Sequence, residues 1–134
     1  AQALSETIPT LADGTAVRTP QDETQMTYAP MLSKELSPID WSRSARAIDC
    51  QVRGLQPWPC AVAELAGTSF KIYRTAPGAP CTQAPGTILS AGKQGIEVAC
   101  GDGMSLFVTE LQAQGGKRMS AAAYLLGHPI SLEK

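Results

Sequence analysis

Side chains that move protons, hold a metal or attack a carbonyl need matching partners nearby, and this sequence supplies few such sets. His128 is the only histidine, so any Ser-His-Asp or Cys-His arrangement would rest on it alone. It lies just after a short apolar segment and before Pro129, a position that argues against catalysis there. Asp102 stands between Gly101 and Gly103, which reads as a tight hairpin turn and not as a phosphate-cradling loop. No Walker loop or dinucleotide fingerprint accompanies it. The pair Asp22-Glu23 falls in a polar stretch with nothing apolar around it to raise a pKa for acid catalysis. Cys50, Cys60, Cys81 and Cys100 include no pair at the two-residue gap of a zinc or redox motif. They are also too sparse for a secreted disulfide scaffold, so reduced, partly buried thiols are expected. No catalytic group, metal site or cofactor site is expected in this chain.

The chemistry that remains is cationic. Lys34, Arg43, Arg46, Arg53, Lys71, Arg74, Lys93, Lys117 and Arg118 are the candidates for phosphate contact. Arginine suits phosphate through its planar fork, and lysine supplies a movable point charge. Eleven Lys and Arg against twelve Asp and Glu give a formal charge of -1 over 134 residues, which excludes the composition of a dedicated nucleic-acid coat and indicates no DNA partner. The balance is uneven along the chain. Residues 1 to 30 hold one basic residue, Arg18, and four acidic ones, Glu6, Asp13, Asp22 and Glu23. Ten basic and eight acidic residues are left for positions 31 to 134, a mildly basic second part.

The elements that would position these cations follow from spacing. Leu4, Ile8 and Leu11 mark one face of a helix that ends at Asp13-Gly14. About three turns with Pro9 inside cannot bury that stripe alone, so it is expected to pack on something outside this sequence or to be a frayed terminus. Residues 15 to 38 are polar, contain three prolines and read as an extended linker. Asp40 then starts a helix that carries Trp41, Ala45, Ile48 and Val52 on one face, puts Arg43, Arg46 and Arg53 on the other, and stops at Gly54. The run Gln56-Pro57-Trp58-Pro59 makes an extended corner, with Trp58 as a core or corner anchor more than a base-stacking platform. Five short strands follow: 61 to 65, 70 to 74, 87 to 89, 96 to 99 and 106 to 111, with a loop at 77 to 85 and turns at 93 to 95 and 101 to 103. Five such strands fit a small closed OB-like barrel, with an SH3-like barrel as the alternative. Ser120 caps a closing helix over residues 121 to 127. The fold class is therefore β-rich α+β, divided into a helical segment 1–14, a linker 15–38 and a domain 39–134. No run approaches the roughly 18 to 20 apolar residues of a membrane helix, and no signal peptide is visible, so a soluble, cytoplasmic, monomeric chain without a membrane role is expected.

Six pieces, in order, resemble methionyl-tRNA formyltransferases. They are Met31-Leu32-Ser33-Lys34-Glu35, Ile39-Asp40-Trp41 with Gln56-Pro57-Trp58-Pro59, Ala84 to Leu89, Lys93 to Gly103, Leu111-Gln112, and Gly116 to Ala121. The likeness is confined to the C-terminal part of that enzyme. It implies a parent that transfers a formyl group from 10-formyltetrahydrofolate to the α-amino group of methionyl initiator tRNA. It also implies that this chain is the tRNA-holding part, with residues 1 to 14 as the last helix of an absent N-terminal catalytic domain. The Asn, His and Asp of that domain have no counterpart here, so the chain alone is expected to be inactive. Gln56 stands where the family commonly has Asn, which affects a local turn bond. Two other readings stay open: a packing or oligomerisation module whose cations are merely solvated, and the trailing domain of a sugar formyltransferase.

Overall fold

The computed structural model describes residues 1–130, so the last four positions of the expected 39–134 domain lie outside the described residues. The chain divides into two compact units, Ala1–Pro30 and Met31–Lys134. In the first unit α1 spans Gln2–Ala12 with Pro9 inside it. It ends where the Asp13 amide donates to the Pro9 carbonyl and Gly14 takes a φ of +76°. Leu4, Ile8 and Leu11 are 65%, 54% and 60% exposed, so no residue of the unit covers the stripe. Asp22 caps a single 3-10 turn at Glu23–Gln25.

The second unit begins at Met31, and from Ser37 its chain is tied to the sheet. The Ile39 amide donates to the Val62 carbonyl at 2.8 Å, and the Val62 amide donates to the Ser37 carbonyl at 2.7 Å. The next helix, α2, starts four residues later than its periodicity predicts, over Ala45–Gly54. Asp40 instead closes a separate turn: its carboxylate accepts from both the amide and the hydroxyl of Ser42. Ser44 is the cap, its hydroxyl accepting from the Ala47 amide at 3.2 Å. The buried stripe is Ala45, Ile48 and Val52 as expected, while Trp41 packs against the core from the preceding turn. Both Gln56-Pro57 and Trp58-Pro59 are cis peptides, and Trp58 is 52% exposed. Trp58 is therefore not a core anchor: Pro59 and Cys60 turn inward and leave the indole outside.

Six antiparallel strands follow: β1 Ala61–Leu65, β2 Thr68–Pro80, β3 Ile88–Gly92, β4 Gly95–Ala99, β5 Met104–Ala113 and β6 Met119–Ser120. The sheet runs β1-β2-β5-β4-β3, with β6 pairing β5. Among the described residues no ladder joins β3 to β1, so the expected closed barrel is an open, OB-like α+β sheet. The expected loop from Pro77 is also strand as far as Pro80. Beyond Ile72 only β5 pairs with β2, and register shifts occur on both sides of Arg74 and after Pro77. A one-sided, bulged strand tolerates prolines because their missing N–H need not break a ladder bond. The sixth strand is two residues long, too short to show alternation.

Phe70, Ile72, Ile96, Val98, Val108 and Leu111 form the apolar interior with Val52 and Leu55 of the α2 end. Helix α3, Ala121–Gly127, covers one end. Ser120 caps it through the Ala123 amide, and Tyr124 meets Phe70 edge-on with ring centroids 5.1 Å apart. Two glycines are held by close approach. A Cβ at Gly101 would overlap the Ser42 carbonyl, and one at Gly95 (φ +120°) would overlap the Val108 carbonyl.

Candidate functional site

Pleating sends Phe70 and Ile72 into the core and Lys71 and Tyr73 to the opposite face of β2. Register then decides what they meet. Lys71 lies opposite Gln112, and past the bulge Arg74 lies opposite Glu110, so both cations stand on the outer face of β2 and β5. The Tyr73 hydroxyl donates to Gln112 Oε1 at 2.8 Å, and Gln112 Nε2 donates to the Gly116 carbonyl at 2.9 Å. That bond ties the sheet face to the β5–β6 turn, where Lys117 is exposed. Arg118 folds back over this face with its guanidinium carbon 4.3 Å from the Tyr73 ring centroid. It donates two bonds to Glu110, at 2.7 and 2.9 Å. The Arg118 bonds hold the Glu110 carboxyl below its usual range, with the Arg74 charge adding to them. Burial, followed by the Cys60 thiol, pushes the Tyr73 phenol up.

Lys71, Arg74, Lys117 and Arg118 are thus brought together, and they are not equivalent. Arg118 is committed to a carboxylate, whereas Lys71, Arg74 and Lys117 form no ion pair among the described residues. The outer face holds these four cations against Glu110 and Glu64.

The cations around α2 meet a different environment. Arg43 is not on the helix face assigned to it, because α2 starts at Ala45; it is exposed in the preceding turn beside Asp40. Arg46 is exposed on α2 and shares a hollow of about 330 Å³ with Asp49 and Asp102. Arg53 is bound to Asp49 at 2.9 Å, one helical turn back. Asp49 also accepts from the Thr75 hydroxyl at 2.6 Å, and that bond, ahead of Arg53, holds its carboxyl below the usual range. Asp102 does close a turn, as its glycines predict, accepting from the Met104 amide at 3.3 Å. Its second oxygen accepts from the Ala45 amide at 3.2 Å, so a loop 57 residues away satisfies the first turn of α2. Nothing local in the sequence signals that role. Lys34 is exposed on the 3-10 turn Lys34–Leu36, and Lys93 is exposed in the β3–β4 hairpin, where it borders a hollow shared with α3. Neither joins the outer face of β2 and β5.

Sequence reasoning missed Tyr73 and Gln112 as parts of the site, although alternation in β2 already placed Tyr73 outward. Gln56 does more than its expected local bond: its amide donates to the Val52 carbonyl at 3.0 Å and to the Tyr73 carbonyl at 2.6 Å, pinning the α2 end to β2. The four cysteines are free, with Cys60 and Cys100 buried and Cys50 exposed. Burial raises the Cys100 thiol to about 11. Among the described residues no group of three or more His, Cys, Asp and Glu side chains could hold a metal ion, and no helix is long and apolar enough to cross a membrane. The arrangement can bind anions on a polar, aromatic face.

Residues 31 to 129 match the family model described as formyl transferase, C-terminal domain. The chain is 49% identical over 132 residues to the methionyl-tRNA formyltransferase of Trichlorobacter lovleyi, covering 98% of this chain and 41% of that protein. It is 41% identical over 128 residues to the methionyl-tRNA formyltransferase of Bacillus subtilis, covering 95% of this chain and 40% of that one. The chain thus spans about two fifths of the length of these relatives. Among solved structures, a HypX variant from Aquifex aeolicus has a TM-score of 0.67 at 18% identity, with 99% of this chain and 24% of that one covered. HypX in complex with tetrahydrofolic acid scores 0.63 at 19% identity, with 92% and 22% covered. At such identities the likeness is one of fold.

Proposed function

We propose a function from one established premise: the chain belongs to the formyl transferase C-terminal domain family. The parent protein is a cytoplasmic methionyl-tRNA formyltransferase. It transfers a formyl group from 10-formyltetrahydrofolate to the α-amino group of methionyl initiator tRNA. This chain supplies part of the grip on the tRNA and no reacting group. The donor and the chemistry belong to an N-terminal catalytic domain of which residues 1–14 are the last helix, the expected linker from 15 onward ending where the second unit begins at Met31.

The observation that carries the tRNA role is the outer face of β2 and β5, where three cations that form no ion pair among the described residues surround the Tyr73-Gln112 network. Lys71, Arg74 and Lys117 contact phosphate first, with Arg118 as a competed partner. Arg43, Arg46 and Arg53 rank lower because Asp40, Asp49 and Asp102 stand beside them. Lys34 and Lys93 are peripheral contacts. Phosphate contacts set position and carry no sequence information, so discrimination of initiator from elongator tRNA lies elsewhere. The domain's contribution is orientation. The attacking amine must be neutral, and contacts far from it hold the aminoacyl end against the formyl donor, turning binding energy into positioning.

Titration of the chain with initiator and elongator tRNA at two salt concentrations tests this. Saturable, salt-sensitive binding in the range of about 10⁻⁴ to 10⁻⁶ M is expected, with little preference between the two tRNAs. Absence of binding at low salt would overturn it in favour of a second reading, a module that packs against its catalytic domain.

A further inference from the structure

A second feature borders the basic face and is not used by the phosphate contacts just described. Three rings stack from the interior outward. Phe70 is buried in the core, and Tyr124 meets it at 88° with centroids 5.1 Å apart. His128 then lies flat on Tyr124, 8° from parallel at 4.4 Å. The Tyr124 carbonyl accepts from the His128 amide at 3.1 Å and sits 3.3 Å from His128 Nδ1, so one oxygen fixes both the backbone and the ring. The imidazole is exposed, with one face covered by Tyr124.

Tyr124 and His128, the two outer rings, line a hollow of about 570 Å³ that also takes in Lys117. The hollow adjoins another of about 420 Å³, lined by Ser69, Lys71 and Gln112; the two share Ala113, Gln114 and Gly115. Together they make a trough from the outer sheet face across the β5–β6 turn to the end of α3. Among the described residues no carboxylate lines either hollow, unlike the one beside Arg46, which is walled by Asp49 and Asp102.

A trough with a lysine on each side of a turn and a fixed, exposed aromatic ring at its end suits a nucleic acid strand whose bases are unpaired. Such strands bind through backbone cations and through stacking of the bases on flat side chains. We propose that this trough holds one or two unpaired nucleotides of the bound RNA, with a base stacked on His128 and the flanking phosphates on Lys117 and Lys71. The inference rests on the tRNA-holding reading and narrows it, since it requires a loop or end of the RNA to reach this surface.

The test uses the whole chain with two probes: initiator tRNA, and a single-stranded oligoribonucleotide carrying 2-aminopurine, whose emission falls on stacking. Binding should quench the oligonucleotide. His128→Ala should weaken binding about tenfold and abolish the quench, while His128→Phe should retain both within about twofold, because a flat ring is what the site requires. Lys117→Ala should keep the quench and lower the salt slope for the single strand by about 0.7. Equal binding and quenching by the wild type and His128→Ala would overturn the proposal. So would equal loss in His128→Ala and His128→Phe with unfolding midpoints unchanged, since the imidazole would then act by charge or hydrogen bonding. If His128→Ala fails to fold, His128→Phe and the wild-type quench decide. Displacement by a polyglutamate peptide as readily from the wild type as from His128→Ala would reduce the trough to a charge site and overturn the stack. Binding of tRNA without the oligonucleotide removes this inference and leaves the tRNA-holding role. His128-dependent binding of the oligonucleotide without tRNA does the reverse, and binding of neither removes both.

Discussion

Lys71, Arg74 and Lys117, which form no ion pair among the described residues, and Arg118, which is paired, should be separable by salt. Each cation that neutralises a phosphate releases a condensed counterion, and on a duplex this adds about 0.9 to the fall of log K with log salt. If Lys71, Arg74 and Lys117 each hold one phosphate, the slope is about -2.7, and affinity falls about 40-fold between about 50 and 200 mM salt. Lys117→Met keeps the stem volume and removes one contact, so the slope becomes about -1.8 and the fall about 12-fold. Arg118→Met should change the slope by much less than one. Its guanidinium already faces Glu110 at 2.7 and 2.9 Å, and a phosphate must compete with that carboxylate. Glu110→Gln, which frees Arg118, should steepen the slope by about one. Anisotropy titrations of labelled initiator tRNA at several salt concentrations read these slopes directly. An unchanged slope in Lys117→Met, or a full unit lost in Arg118→Met with the slope of Glu110→Gln unmoved, would refute the division of labour.

Four further outcomes follow from the fold. Asp102→Ala leaves the Ala45 amide without its acceptor and should lower stability by about 1 kcal/mol in urea unfolding; an unchanged midpoint would show that water serves as well. Gly101→Ala forces a Cβ onto the Ser42 carbonyl and should cost about 2 kcal/mol or more, and a thermal midpoint like that of the wild type would rule out the close approach. Asp49 has a folded pKa below its unfolded one, so its stabilisation is fully present above the ordinary aspartate range and is lost as pH falls from that range through the lower folded pKa. Asp49→Asn should therefore flatten the acid limb of the stability curve, and an acid limb identical to that of the wild type would count against the Thr75 and Arg53 bonds. In alkylation with iodoacetamide near neutral pH, exposed Cys50 should react in the native protein, whereas buried Cys100, with its thiol raised to about 11, should wait for unfolding. Early labelling of Cys100 would contradict its burial.

What could be read in the sequence was local. Ser120 as a cap and the Ala45, Ile48 and Val52 stripe need only spacing, and both are found. Periodicity starts α2 too early because Trp41 is four residues before Ala45 and so fits the same period. Asp40 and Ser44 are both good capping residues, and only the path of the chain past Val62 decides between them. Strand alternation placed Lys71 and Tyr73 outward, but which residues they face depends on register shifts flanking Arg74, which no short pattern encodes. Strand count likewise says nothing about closure: five strands were legible, but β3 and β1 do not pair among the described residues. His128 lacks catalytic partners in the sequence, but its four-residue spacing from Tyr124, which sets a side-by-side pair at a helix end, is a signal for the stacked rings.

The low net charge of this chain then has a functional reading under the proposed role. A domain that gripped tRNA tightly in the ground state would bind substrate and transition state alike, lowering KM without speeding transfer. A weak grip is sufficient when it is tethered. If it is joined to a catalytic domain through the segment before Met31, as proposed, it would meet an already bound tRNA at an effective concentration of about millimolar, so contacts that are only micromolar alone would be nearly saturated in the joined protein. Pairing Arg118 to Glu110 and Arg53 to Asp49 keeps the grip in that range, because both pairs withdraw a guanidinium from phosphate without removing it from the surface. The carboxylates beside the cations are on this view part of the binding design: they cap the affinity, and the acidic neighbours of α2 direct the RNA to the face of β2 and β5.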